Sequence, residues 1–178
     1  MAMQSPYELL VAIDQRCRSL SSALPSQEEN VESWSGIGFR VGQHYFVAPM
    51  DEVAEVLHEP RYTQLPGVKS WVRGVSNVRG RLLPVIDLGE FLAAPATQSP
   101  GDRRVLVIEH DEVFAGIVVD AVLGMQHFEP DSFADQFGGV DQQLQAYVHG
   151  QFQREHRWLV FSPFALAVSD DFMSVTLN

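Results

Sequence analysis

The sequence predicts a mainly β protein in which two small β-barrels pack together and follow an N-terminal helix. Short runs of alternating apolar and polar residues recur from residue 34 onward, and several are bounded by glycine or proline. Most intervals between these runs are too short for crossover helices, which favours barrels over βαβ units. One strand pattern is used twice along the chain, whereas the first 25 residues have a helical period.

The N-terminal helix begins at a capping box. Ser5 is followed by Pro6 at the first helical position and by Glu8 three residues after the serine. Apolar residues then recur at spacings of three and four until Pro25, namely Leu10, Ile13, Cys17, Leu20 and Leu24. The residues that follow are polar, so residues 1–33 are predicted to form an amphipathic helix and a linker.

The remaining chain, residues 34–178, has the period of β-strands. The predicted strands are Ile37–Val41, Tyr45–Val47, Trp71–Val78, Arg81–Ile86, Arg104–Glu109, Val113–Val119, Tyr147–Phe152 and Trp158–Phe161. Two short helices each follow a strand directly. Asp87 caps one, with Glu90 three residues on, and Ser162 caps the other, with Pro163 at the first position.

An internal repeat relates two halves of this region. Trp71-Val72-Arg73-Gly74 corresponds to Tyr147-Val148-His149-Gly150, and Leu83–Asp87 corresponds to Trp158–Ser162, at offsets of 76 and 75 residues. We therefore expect a first barrel over about residues 34–94 and a second over about residues 103–168.

Charge and composition exclude several classes of function. The 178 residues carry a net charge of −11, which repels phosphate backbones and anionic lipids. Cys17 is the single cysteine, so no internal disulfide can form. No apolar run approaches the ~20 residues that cross a bilayer, and the N-terminus lacks the basic region of a signal peptide. We expect a cytoplasmic protein that binds no nucleic acid and does not insert into a membrane.

The search for catalytic, cofactor or metal sites predicts none. The six histidines show no metal-ligand spacing. Gly74-Val75-Ser76-Asn77-Val78 is similar to a nucleophile elbow, but its last residue is not glycine and no helix follows, so Ser76 is interpreted as a turn residue. A small hydrolase using Ser76 or an aspartate is the rival enzymatic hypothesis, and no histidine or lysine base accompanies this serine.

Two features indicate a binding surface. Five basic residues and no acidic one occur between residues 61 and 86, namely Arg61, Lys69, Arg73, Arg79 and Arg81. They either attract an acidic partner or pair with acidic loops of the same chain. Arg79 belongs to the tight turn Asn77-Val78-Arg79-Gly80, which would hold its guanidinium at the barrel edge.

The second feature is the pair of valines Val53 and Val56. These side chains either fill the interior or face a partner.

Several of these motifs together resemble the CheW family of chemotaxis coupling proteins. They are Val53–Val56, Leu65-Pro66, Val72–Gly80, Leu83–Leu88 and Gly116–Val122, within about residues 34–168. Within the family, the acidic chain with its N-terminal helix resembles the coupling proteins of type IV pilus twitching-motility systems. The resemblance implies two five-stranded SH3-like barrels around a common core and a non-catalytic protein without a cofactor.

The resemblance also implies partners and site residues. Such an adaptor couples a methyl-accepting chemoreceptor, through the receptor's cytoplasmic tip, to the CheW-like regulatory domain of a histidine kinase, and is recruited to membrane-associated receptor arrays. The alternative is a CheW-like regulator that docks a histidine kinase without a receptor. The residues implied at or near the receptor-facing groove are Val53, Glu55, Val56, Arg79, Val118 and Val119. Gly74 and Gly80 would shape this groove, and Asn77 is implied as a structural residue of the turn.

Overall fold

The computed structural model describes residues 7, 11, 14–16, 33–94, 102–136 and 138–176. Eleven strands are formed within these ranges: β1 Trp34–Val41, β2 His44–Pro49, β3 Glu55–His58, β4 Val72–Val78, β5 Arg81–Asp87, β6 Arg104–His110, β7 Val113–Val119, β8 Ala121–Phe128, β9 Phe133–Ala134, β10 Val148–Gln153 and β11 Arg157–Phe161. The short helices are α1 Leu88–Phe91, α2 Gln142–Gln145, α3 Pro163–Ala167 and α4 Asp170–Met173, with 3₁₀ turns at Met50–Glu52 and Pro130–Ser132.

The strands form two sheets, which confirms the mainly β prediction. One sheet has six strands in the order β8-β1-β2-β11-β10-β9, and the other has five in the order β3-β6-β7-β5-β4. Strands β2 and β11 pair in parallel, as do β5 and β7, whereas the other pairings are antiparallel. Strands β3, β8 and β9 were not among the predicted elements.

Each sheet takes strands from both halves of the repeat. The β1–β2 hairpin of the first half joins β8 to β11 of the second, and the β6–β7 hairpin of the second half joins β3 to β5 of the first. This corrects the expectation of one barrel over residues 34–94 and another over residues 103–168. The physical reason lies in the parallel pairs. Strand β5 pairs in parallel with β7, and β11 pairs in parallel with β2. Two parallel neighbours need a long connection between them, so each pair joins strands that are far apart in the sequence.

Three apolar clusters hold the domain together. The largest lies between the sheets and includes Phe39, Phe46 and Phe161 from the six-stranded sheet and Leu106, Ile117 and Val119 from the five-stranded sheet. A second cluster fills the six-stranded sheet, which curls so that Phe128 on β8 stacks on Phe152 on β10, with ring centroids 4.4 Å apart. A third, around Leu83 and Val118, fills the five-stranded sheet. Each sheet therefore resembles a partial barrel, and the two share a common core.

The repeat is visible in the backbone. Strand β4 has a bulge between Val72 and Gly74, and β10 has one between Val148 and Gly150. The helix caps are those predicted. The Glu90 amide donates to Asp87 Oδ1 over 3.0 Å, and the Ala165 amide donates to Ser162 Oγ over 3.0 Å.

Residues 1–32 form a unit separate from residues 33–178. Tyr7, Val11 and residues 14–16 are helical and exposed. The predicted apolar stripe of this helix, Leu10, Ile13, Cys17, Leu20 and Leu24, lies outside the described residues.

Candidate partner-binding surface

The turn between β4 and β5 holds Arg79 in a strained but well-defined conformation. Arg79 and Gly80 both have positive φ, at 53° and 82°, and the flanking residues Val78 and Arg81 pair with each other. This is a two-residue hairpin turn of the I′ kind, for which glycine at the second position is favoured. Asn77 supports the turn because its Oδ1 accepts a 2.9 Å hydrogen bond from the Gly80 amide. The predicted structural roles of Asn77 and Gly80 in the turn agree with this geometry.

Arg79 forms a two-pronged ion pair with Glu55. Its Nη1 donates to Glu55 Oε2 over 3.0 Å, and its Nη2 donates to Oε1. Glu55 belongs to β3 at one edge of the five-stranded sheet, whereas the Arg79 turn connects the two strands at the other edge. The pair therefore bridges the edges of the curled sheet. The side chain of Arg79 remains 76% exposed and that of Glu55 32% exposed, so both stay accessible to a partner.

Gly74 allows a second segment to reach the edge of the same sheet. Its φ is +142°, and a Cβ atom built there would lie 2.1 Å from the Thr63 carbonyl oxygen. Thr63 exchanges two backbone hydrogen bonds with Val75, of 2.8 and 2.9 Å. The segment around Thr63 thus covers the outer edge of β4, and only glycine fits beneath it.

Two further arginines of the basic segment, Arg73 and Arg81, are also paired within the chain. Arg73 Nη2 lies 2.6 Å from Asp87 Oδ2 and 2.9 Å from Glu90 Oε1. Arg81 lies over the ring of Phe114, 3.8 Å from its centroid, and reaches Glu109 at 2.9 Å. The interpretation of an uncompensated basic strip is therefore wrong for Arg73, Arg79 and Arg81, whose charges are balanced by carboxylates of the same chain.

The Arg81–Glu109 contact has an electrostatic consequence. The hydrogen bond from Arg81 lowers the pKa of Glu109 below the ordinary value of a carboxyl group, and the same bond raises the pKa of Arg81. Both side chains are about half exposed. The hydrogen bond from Arg81 therefore favours the ionised form of Glu109.

The valines implied at the partner surface differ in burial. Val53, Val118 and Val119 are 8%, 2% and 1% exposed, and their side chains belong to the core. Strand β7 is covered on both faces, so Val118 fills the barrel and Val119 fills the space between the sheets, and neither side chain is exposed to a partner. Val56 is 39% exposed on β3, next to Glu55. The partner-facing interpretation therefore survives for Val56 and not for Val53.

Three further apolar side chains are exposed, one on β5 and two on β8, which is an edge strand of the six-stranded sheet. Leu82 follows Arg81 on β5 and is 70% exposed, and Leu123 and Met125 on β8 are 38% and 54% exposed. Isolated exposed apolar residues are common, and Leu82 is notable because it lies close to the Arg79 turn along β5.

Sequence reasoning missed the role of Glu52. Its Oε2 accepts hydrogen bonds from Ser162 Oγ, at 2.7 Å, and from the Phe164 amide, at 2.9 Å. In the first half Asp87 supplies the carboxylate at the start of the corresponding helix by itself. A signal for this role was present in the repeat. Ser162 occupies the position equivalent to Asp87, so the second helix start lacks a carboxylate of its own and favours one supplied by another residue.

The serine candidate of the enzymatic hypothesis is buried. Ser76 lies inside strand β4 and is 4% exposed, so its interpretation as a turn residue was wrong and its hydroxyl is not presented to a substrate. Among the described residues, no three side chains of histidine, cysteine, aspartate or glutamate are grouped as a metal site.

The matched family and the fold agree. The family model described as the CheW-like domain matches residues 35–171. The chain belongs to the CheW family. This family member is 59% identical to protein PilI of Pseudomonas aeruginosa over 175 residues, which is 98% of both chains. It is 33% identical to the chemotaxis protein CheW of Helicobacter pylori over 56% of this chain and 61% of that protein.

A solved structure shows the same fold. The crystal structure of the scaffolding protein TtCheW from Thermoanaerobacter tengcongensis superimposes with a TM-score of 0.68, at 22% identity, over 81% of this chain and 99% of that one. Within the described residues, no helix of this CheW family member is long and apolar enough to cross a membrane.

Proposed function

We propose that the protein is a non-catalytic adaptor that couples a chemoreceptor to a histidine kinase in a chemotaxis-like pathway controlling twitching motility. Its membership of the CheW family supports the adaptor role, and its 59% identity to PilI over nearly the full length supports the pilus pathway. No cofactor is required. The protein works in the cytoplasm and is recruited to membrane-associated receptor arrays.

The observation that carries this proposal is the exposed Glu55–Arg79 pair on a rigid turn. A β-hairpin turn with fixed backbone presents a guanidinium beside a carboxylate. Val56 follows Glu55 along β3, Leu82 lies near the turn along β5, and both side chains are exposed. Arginine is enriched in protein–protein contact sites, whose centres are apolar. We assign this surface, Glu55, Val56, Arg79 and Leu82, to the cytoplasmic tip of the receptor.

Coupling by such a body is geometric. The shared core makes the two sheets one rigid unit, so the surface for the receptor and the surface for the kinase keep a fixed relation. A receptor that changes shape can then bias the kinase only through contacts that differ between the two receptor states. The CheW-like regulatory domain of the kinase is the second partner, and it uses a surface separate from the Arg79 turn.

The test is a kinase assay with purified components, in which this protein and the kinase are full-length. The rate of kinase autophosphorylation is measured with and without a receptor cytoplasmic fragment, in the presence and absence of this protein. We expect receptor-dependent kinase activity only when the protein is present. A protein that alters kinase activity equally with and without the receptor fragment would instead be a kinase regulator, and no effect in either condition would overturn the adaptor role.

A further inference from the structure

A pocket of about 380 Å³ lies at the end of the six-stranded sheet, away from the Arg79 turn. It is formed by the turn between β1 and β2, the first residues of β11 and the loop at residues 139–140. His44, His156 and Arg157 line it, together with Glu155 at the tip of the β10–β11 hairpin. We call it the Arg157 pocket.

The guanidinium of Arg157 forms no ion pair with the residues that the structure describes. Its Nε donates to Gln151 Oε1, while its Nη2 is buried and has no hydrogen-bond partner in the described part of the chain. A partly buried cation with an unused donor costs free energy unless an acceptor is supplied, and the described residues supply none to Nη2.

His44 stands beside Arg157. In the parallel pairing of β2 and β11, Trp158 is opposite Tyr45, and the preceding step of this register places Arg157 next to His44. Both side chains line the pocket. Neighbouring nitrogen donors of this kind are suited to the oxygen atoms of a carboxylate or phosphate group.

The fold itself does not need basic residues at these two positions. In the five-stranded sheet, Val85 is opposite Gly116 in the corresponding parallel pairing, and the same register places Leu82 next to Val113. The repeat offset makes Leu82 the equivalent of Arg157. Leu82 and Val113 are thus apolar in the five-stranded sheet, whereas Arg157 and His44 occupy the equivalent positions of the six-stranded sheet. The basic pair therefore belongs to the pocket and is not required by the parallel pairing.

We propose that the Arg157 pocket binds a small molecule through a phosphate or carboxylate group. The volume is in the range of small-ligand sites, and the loop glycine Gly139, with φ +74°, has no atom closer than 4.0 Å to a built Cβ, so that wall is open. Glu155 contributes a negative charge at the rim. This charge disfavours long polyanions and leaves room for a single anionic group beside Arg157 and His44.

The test is a titration of the full-length protein followed by amide NMR at constant ionic strength. Inorganic phosphate is added in one arm and succinate in the other. We expect saturable shifts of the Gly139 and Arg157 amides in at least one arm, and the responding arm identifies the anionic group. Arg157→Leu, which copies Leu82 of the other sheet, should weaken the affinity roughly tenfold or more.

Two further variants keep the test decisive. Arg154→Leu removes the same charge from the same hairpin but outside the pocket, and should leave the affinity unchanged. His44→Val should weaken it as well, and this variant decides the matter if Arg157→Leu does not fold. Shifts that grow linearly without saturating in both arms, or equal losses for Arg154→Leu and Arg157→Leu, would overturn the proposal.

Discussion

Removal of the Arg79 side chain should separate the stability of the protein from its coupling activity. The side chain is 76% exposed, so its ion pair with Glu55 contributes only about 0–1 kcal/mol to the free energy of unfolding. For a domain of this size, such a loss lowers the melting temperature by about 2–4 °C at most. Truncation of an interface arginine typically costs about 1–4 kcal/mol of binding. Arg79→Ala should therefore weaken receptor binding roughly tenfold or more, at 1.4 kcal/mol per tenfold.

Charge reversal distinguishes a contact with a partner from a contact within the chain. Arg79→Glu places two carboxylates together and should impair coupling more than alanine does. The double variant Glu55→Arg with Arg79→Glu restores an ion pair of opposite polarity, so its melting temperature should return close to that of the unmodified protein. Its coupling should stay low, because the partner would then meet a carboxylate at the turn.

The assay is receptor-dependent kinase activity, recorded beside a melting curve for each variant. Normal coupling in Arg79→Glu would refute the assigned role. Recovery of coupling in the double variant would show that the ion pair acts only by bridging the edges of the sheet. It would contradict a direct contact between Arg79 and the receptor.

Four other substitutions test the surface and the fold. Val56→Asp should reduce receptor binding about tenfold with little change in melting temperature, because this valine is exposed. Val53→Asp, at a buried valine, should instead cost several kcal/mol of stability. Equal melting temperatures for the two variants would contradict this difference in burial. Gly74→Ala should lower the free energy of unfolding by about 1–3 kcal/mol in urea denaturation, because its backbone is strained for other residues, and unchanged stability would contradict this. Glu109→Gln should be less stable than the unmodified protein at neutral pH. The hydrogen bond from Arg81 lowers the pKa of Glu109 in the folded state, so its contribution is lost as the pH falls through that pKa, and the two melting temperatures should converge in acid; a constant difference would contradict it.

The sequence predicted local structure better than the pairing of distant strands. Asp87 and Ser162 were found as helix caps because capping depends on residues only three positions apart. The repeat revealed which strands are equivalent, but equivalence does not say which strands are neighbours. The exchange of the β1–β2 and β6–β7 hairpins therefore could not be derived from it.

The burial of Val118 and Val119 had a signal that went unused. Residues 115–119 are all buried, and their sequence is an unbroken run of small and apolar residues, the pattern of a strand covered on both faces. Only a strand with one exposed face would have offered one of these valines to a partner.

The carboxylate partners of the arginines were beyond sequence reasoning for a different reason. Glu55 lies 24 residues from Arg79, and Glu109 lies 28 residues from Arg81. In the sheet, β6 and β7 separate Glu55 on β3 from the turn that begins at β5, and β7 separates Glu109 on β6 from Arg81 on β5, so these contacts depend on the tertiary arrangement of the strands. A linear count of charges between residues 61 and 86 could not include them.

The adaptor role is tested most directly by the composition of the complex that the protein forms. The full-length protein, the kinase regulatory domain and the receptor cytoplasmic fragment are mixed, and their masses are measured by light scattering after size-exclusion chromatography. The account predicts one species that contains all three components and a receptor–kinase association that is lost when this protein is omitted. Separate elution of receptor and kinase in its presence would contradict the central claim.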